Sequence, residues 1–118
     1  MLNLDGDLSK NRIDQLYKNG EKLFTKSLII IYKTEIYENK FHKPIVSISK
    51  KKIKKAVGRN YLRRIIKELY FSSKKTYFDS KKYSLNMMII YNSPYLIDFK
   101  KLQEELLPIF IILKDKVR

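Results

Sequence analysis

Hydrophobic positions along the chain follow two periods. Ile13, Leu16 and Tyr17 recur at i, i+3 and i+4, which predicts a short helix over residues 9–19 with one apolar face. Ser9 or Asn11 is placed to cap its start, and Gly20 follows as a left-handed stop. Residues 28–32, LIIIY, are continuous and β-branched, the pattern of a buried strand. Asn39 and Lys40 mark a turn. After Pro44 the segment IVSIS (45–49) alternates, with Ile45, Ser47 and Ser49 on one face and Val46 and Ile48 on the other. One face of this strand is therefore polar and available to a ligand. LNMMIIY (85–91) reads as another buried strand, broken by Asn92, Ser93 and Pro94.

A second helix is predicted from about Ala56 to Tyr70, behind the basic loop KKKIKK (50–55). At about 100° per residue, Arg59, Asn60, Arg63, Arg64 and Lys67 share one side of this helix. Leu62, Ile65, Ile66 and Leu69 share the other. Residues 72–82 are polar and lysine-rich and read as a mobile connection. Asp98 then caps a last helix whose stripe is Phe99, Leu102, Leu106 and Leu107. Pro108 is expected to kink or end it, leaving IFIIL (109–113) as added core or an exposed patch. The order is helix, two or three strands, helix, strand, helix. With no repeat, low-complexity run or linker, this predicts one domain over residues 1–118, a sheet with helices packed on it.

Charge changes the picture. The 118 residues carry 26 Lys and Arg against 12 acids, a formal +14. Residues 1–40 and 83–118 each net only +1, whereas residues 41–82 hold 14 bases and 2 acids. No acid lies between Glu38 and Glu68. A solvated face mixes both signs, and a solvated helix places Glu one turn from its bases. Here Arg59, Arg63 and Lys67 stand about 6 Å apart along the axis, comparable to the phosphate spacing of a nucleic-acid strand. A polyanionic partner follows. The chain has no Cys and one His, His42, which excludes thiol chemistry and clustered His or Cys metal sites. Asp98, Glu104 and Glu105 sit at one helix start and on its exposed face, where dipole and solubility roles suffice. The opening residues lack a secretory pattern and no apolar run is long enough to span a bilayer, so a cytoplasmic setting without a membrane partner is expected.

The segment KKIKKAVGRNYLRRIIKEL (51–69) resembles the signature of the bacterial ribonuclease P protein component. The matching residues are Ala56-Val57, Arg59-Asn60, Arg63-Arg64 and Lys67-Glu68 after a basic run. Ile13 and Tyr17 stand seven and three positions before Gly20, where that family's first helix has aromatic residues. LIIIY, IVSISKK, the strand at 85–91 and the helix at 98–107 match the remaining elements.

The resemblance implies an α+β fold, a two-layer α/β sandwich. It would have one mixed four-stranded sheet, about three helices and a ribosomal-protein-like, left-handed βαβ crossover. It implies the protein subunit of a ribonucleoprotein endonuclease that removes the 5′ leader from precursor tRNA. The partners would be the catalytic RNA subunit and precursor tRNA, with no obligate protein partner. Magnesium would be held by the RNA subunit and no cofactor by the protein, so no catalytic or metal-ligating residue is expected in this chain. Lys50, Lys51, Lys52, Lys54, Lys55, Arg59, Asn60, Arg63, Arg64 and Lys67 would face RNA. A cleft between the first helix and the sheet would hold the single-stranded leader. Its candidate lining is Ile13, Tyr17, Phe24, Tyr32, Ser47 and Ser49, since single-stranded RNA is held by stacking aromatics beside hydrogen-bonding groups.

Two other readings compete. One is a ribosomal or other structured-RNA-binding protein without part in catalysis. The other is a DNA-binding helix protein, disfavoured because no helix stands at helix-turn-helix spacing before residue 56.

Overall fold

The computed structural model describes residues 7–36, 44–78 and 83–116. The turn expected at Asn39 and Lys40, and His42, lie outside them. The elements are α1 (Asp7–Asn19), β1 (Glu21–Phe24), β2 (Leu28–Ile36), β3 (Ile45–Ile48), α2 (Ala56–Phe78), β4 (Tyr83–Tyr91) and α3 (Phe99–Lys116). The sheet order is β1-β2-β4-β3. β1–β2 and β2–β4 are antiparallel, and β3 runs parallel to β4, so α2 is the crossover that joins them. The result is an α+β fold of three helices on a mixed four-stranded sheet.

Strand alternation sorts side chains onto two faces. One face carries Leu28, Ile30 and Tyr32 of β2, Ile48 of β3, and Leu85, Met87, Ile89 and Tyr91 of β4. They pack under Leu62, Ile65, Ile66 and Leu69 of α2 and Leu102, Leu106, Phe110 and Leu113 of α3. The other face carries Ile31, Met88 and Ile45 in one row, buried beneath Leu16 of α1. Full burial of Leu16 stabilises this contact by about 1.5–3 kcal/mol. Arg12 fastens the same helix, its Nε and Nη2 donating to Asn86 Oδ1 at 3.0 and 2.8 Å.

Several expectations are corrected. α1 starts at Asp7, so Ser9 and Asn11 lie inside the helix rather than capping it. Gly20 does not adopt a left-handed backbone; a Cβ there would lie 2.5 Å from Leu16 O and 2.8 Å from Ile31 Cγ2. Close approach to the sheet, not turn geometry, requires glycine. α2 continues to Phe78 through residues expected to be a loose connection. Buried Ser73 and the Tyr70 and Tyr77 rings, 6.3 and 6.2 Å from Phe110, hold those turns in place. α3 likewise runs through Pro108 to Lys116, because Ile109, Phe110 and Leu113 are buried beyond it. Proline removes one helical hydrogen bond, and the buried side chains after it outweigh that loss. The expected cap is present, with Asp98 Oδ1 accepting from Lys101 N at 2.8 Å.

Candidate nucleic-acid interface

The basic loop is a built structure. Ser49 Oγ accepts from Lys51 N at 3.2 Å, and Ile53 N donates to Ser49 O at 3.0 Å. Ile53 turns inward and is buried, while Lys50, Lys51, Lys52, Lys54 and Lys55 are all exposed. Arg59 closes the loop, its Nη1 donating to Ile53 O and Lys54 O, both at 2.8 Å. Arg59 is thus partly a positioning residue, whereas the sequence offered it only as a phosphate contact. Beyond it the helix behaves as its wheel predicts. Asn60, Arg64 and Lys67 are exposed, Arg63 is half-buried, and Leu62, Ile65, Ile66 and Leu69 are inside. Arg64 lies over the Tyr61 ring at 5.6 Å from its centroid. The Tyr61 hydroxyl donates to Ile97 O at 2.9 Å, tying α2 to the segment before α3. Neither Arg63 nor Lys67 has an acidic partner among the described residues.

The second site is the part of the α1 face that α1 leaves uncovered. Next to the buried Ile31–Met88–Ile45 row, the register aligns Phe24, Ile29, Ile90 and Ser47 across all four strands. Ile29, Ile90 and Ser47 are half-buried, and Phe24 is 67% exposed. Ile13 packs at the border, and Tyr17, one turn further on, is 52% exposed. This row adjoins the end of β3 from which the basic loop departs. Of the expected cleft residues, Phe24 and Ser47 lie on this face at opposite edges of the sheet, Ile13 packs against its buried row, and Tyr17 follows one turn on along α1. Ser49 lies at the strand end, engaged in shaping the loop.

Tyr32 does not join them. It is 4% exposed on the opposite face, with its hydroxyl donating to Glu21 Oε2 at 2.5 Å. Burial first, then the hydrogen bond and charge of Glu21, push its hydroxyl up to about 12. Position 32 is one residue out of phase with Ile29 and Ile31, so alternation sends it into the α2–α3 core.

Sequence reasoning missed Glu105. It is not an idle surface acid. Its carboxylate accepts from Thr25 Oγ1 (2.7 Å), Ser27 N (2.8 Å) and Ser27 Oγ (2.9 Å). These bonds fasten the β1–β2 turn to α3 and so fix Phe24, the residue just before that turn. No local pattern links positions 25–27 to 105. Asp98 and Glu104 are also engaged, the first as the cap and the second 3.9 Å from Lys101. Among the described residues no three His, Cys, Asp or Glu side chains gather where a metal ion would be held. No helix among them is long and apolar enough to cross a membrane.

This fold is that of bacterial RNase P proteins. The Thermotoga maritima RNase P protein, solved in complex with 1-(4-fluorophenyl)-2-thiourea, superposes with a TM-score of 0.72 at 18% identity, over 86% of this chain and 94% of that one. The Staphylococcus aureus RNase P protein superposes with a TM-score of 0.69 at 20% identity, over 97% and 94%. The sequence profile of the Ribonuclease P family matches residues 8–114, and the chain belongs to that family. Membership places it in tRNA processing as a ribonuclease P protein.

Proposed function

We propose that this chain serves a bacterial, cytoplasmic ribonuclease P by supplying charge and shape, while an RNA subunit holds the magnesium ions and performs the hydrolysis. The basic loop and the α2 row of Asn60, Arg63, Arg64 and Lys67 face the catalytic RNA. The uncovered strip from Phe24 to Ser47, together with Tyr17, receives the single-stranded 5′ leader of precursor tRNA. The observation that carries this reading is the pairing of two surfaces. An apolar strip is left open beside α1, and it ends at a loop of five exposed lysines. Isoleucines stay half-exposed on a monomer at a cost, and a contiguous strip of them marks a recognition surface. Aromatic and aliphatic groups beside phosphate-binding cations are what a flexible single strand requires.

The test is cleavage of precursor tRNA by the cognate catalytic RNA at low magnesium, with and without this chain. The chain alone is expected to be inactive. Added to the RNA, it should raise cleavage most where magnesium is scarce, because its cations replace ions that screen RNA–RNA repulsion. Metal-dependent cleavage by RNA-free protein, or no stimulation at any magnesium level, would contradict this reading.

A further inference from the structure

A groove of about 780 Å³ lies on the α2 side of the molecule, away from the strip described above. Its apolar walls are Ile53, Val57, Gly58, Tyr61, Leu96 and Ile97, and Lys52, Lys54 and Lys55 stand around it. It is wide open. Val57 is 80% and Leu96 54% exposed, and the adjacent Tyr95 ring is exposed as well. Gly58 keeps it deep, since a Cβ there would sit 3.0 Å from Ile53 Cγ2 and 3.4 Å from Leu96 Cδ2. The walls are fastened. The Tyr61 hydroxyl bonds Ile97 O, Tyr91 Oη donates to Tyr95 O, and Arg59 holds the carbonyls of Ile53 and Lys54.

We infer that this groove binds an unstacked RNA base, with the lysines around it on the flanking phosphates. The inference rests on the ribonuclease P reading and adds a second RNA subsite to it. Charge complementarity selects the occupant. A neutral apolar peptide segment would bring nothing to balance three lysines. A nucleotide pairs a flat apolar ring with an anionic link on either side, which matches an apolar floor inside a cationic rim. The volume suits a group of ligand size. Tyr61, one wall of the groove, carries the Arg64 guanidinium over its ring, so one cation of the α2 row stands next to the groove. Asp98 supplies an acceptor at the groove's edge. Its Oδ1 takes the Lys101 N–H, and Oδ2 remains for an amino group on a base.

The experiment uses the full chain labelled at its methyl groups, titrated with a short oligoadenylate, an abasic oligomer of equal length and an oligoglutamate peptide. Ring currents from a seated base should move the Val57 and Leu96 methyl resonances upfield with oligoadenylate only. Val57→Ser with Leu96→Ser should weaken oligoadenylate binding on the order of fivefold and leave abasic binding unchanged. Unmoved Val57 and Leu96 methyls would overturn the inference, as would equal shifts from the abasic oligomer or shifts with oligoglutamate alone. If Ile29 and Ile90 then still respond to oligoadenylate, the leader strip survives; if they are silent too, the strip falls with the groove.

Discussion

The two faces of the sheet are built from the same strands and finished differently. Toward α2 and α3, every strand contributes to a sealed core, with Ile30, Ile89, Ile66 and Leu106 fully out of water. Toward α1, one 13-residue helix seals a single row and leaves the neighbouring row half-open. The sealed face therefore holds the stability. The open face carries apolar area that folding did not use, fixed in place by Arg12–Asn86 at one end of the sheet and the Glu105 bonds at the other. A recognition surface that must stay preformed is best placed where its removal does not unfold the scaffold.

That division is sharpest under core truncation. Ile66→Ala should cost about 2–5 kcal/mol in urea unfolding. Ile90→Ala, at half-buried Ile90, should cost clearly less while weakening RNA binding. Similar losses of stability at the two sites would erase the distinction. Along α2, Lys67→Ala should leave the melting temperature unchanged and lower the salt dependence of RNA affinity by roughly one unit. Arg59→Ala should weaken RNA binding more than Lys67→Ala does, because it also releases the carbonyls of Ile53 and Lys54. Equal effects from the two would show that loop fixation by Arg59 is inconsequential.

The smallest effect concerns Tyr32, on the sealed face. Tyr32→Phe should cost about 1 kcal/mol for the lost Glu21 bond and leave leader binding untouched. It also alters the alkaline limb of stability. An unfolded tyrosine ionises near 10.0, while buried Tyr32 and Tyr70 are both pushed up to about 12. In that window the folded chain keeps protons the unfolded chain has lost. Stability is thus intact below 10 and falls as pH rises toward 12. Removing the Tyr32 hydroxyl should make that fall shallower in unfolding curves taken across the window.

Much of this was legible in the sequence because it rests on period and charge. The α2 wheel, the alternation at 45–48 and the Asp98 cap all depend on near neighbours, and each appears where the residues put it. Illegible were features set by distant packing. β1, Glu21–Phe24, is short and mostly exposed and offers no hydrophobic period. The extra turns of α2 and α3 depend on the meeting of Tyr77 and Phe110. Glu105 looked like a solvated acid because its three donors lie near residue 26. Tyr32 is aromatic like Tyr17 and Phe24, but its phase in β2 sends it to the other face.

We propose that the open strip reads the leader. This is tested most directly by a pair of affinities in the reconstituted enzyme, for precursor tRNA with its leader and for mature tRNA, in wild type, Tyr17→Ala and Phe24→Ala. Stacking on a base contributes about 1–3 kcal/mol, so each variant should lose precursor affinity several-fold or more while keeping its affinity for mature tRNA and its melting temperature. An equal loss for both ligands with a lowered melting temperature would make these aromatics structural and leave the strip without a role in recognising the leader.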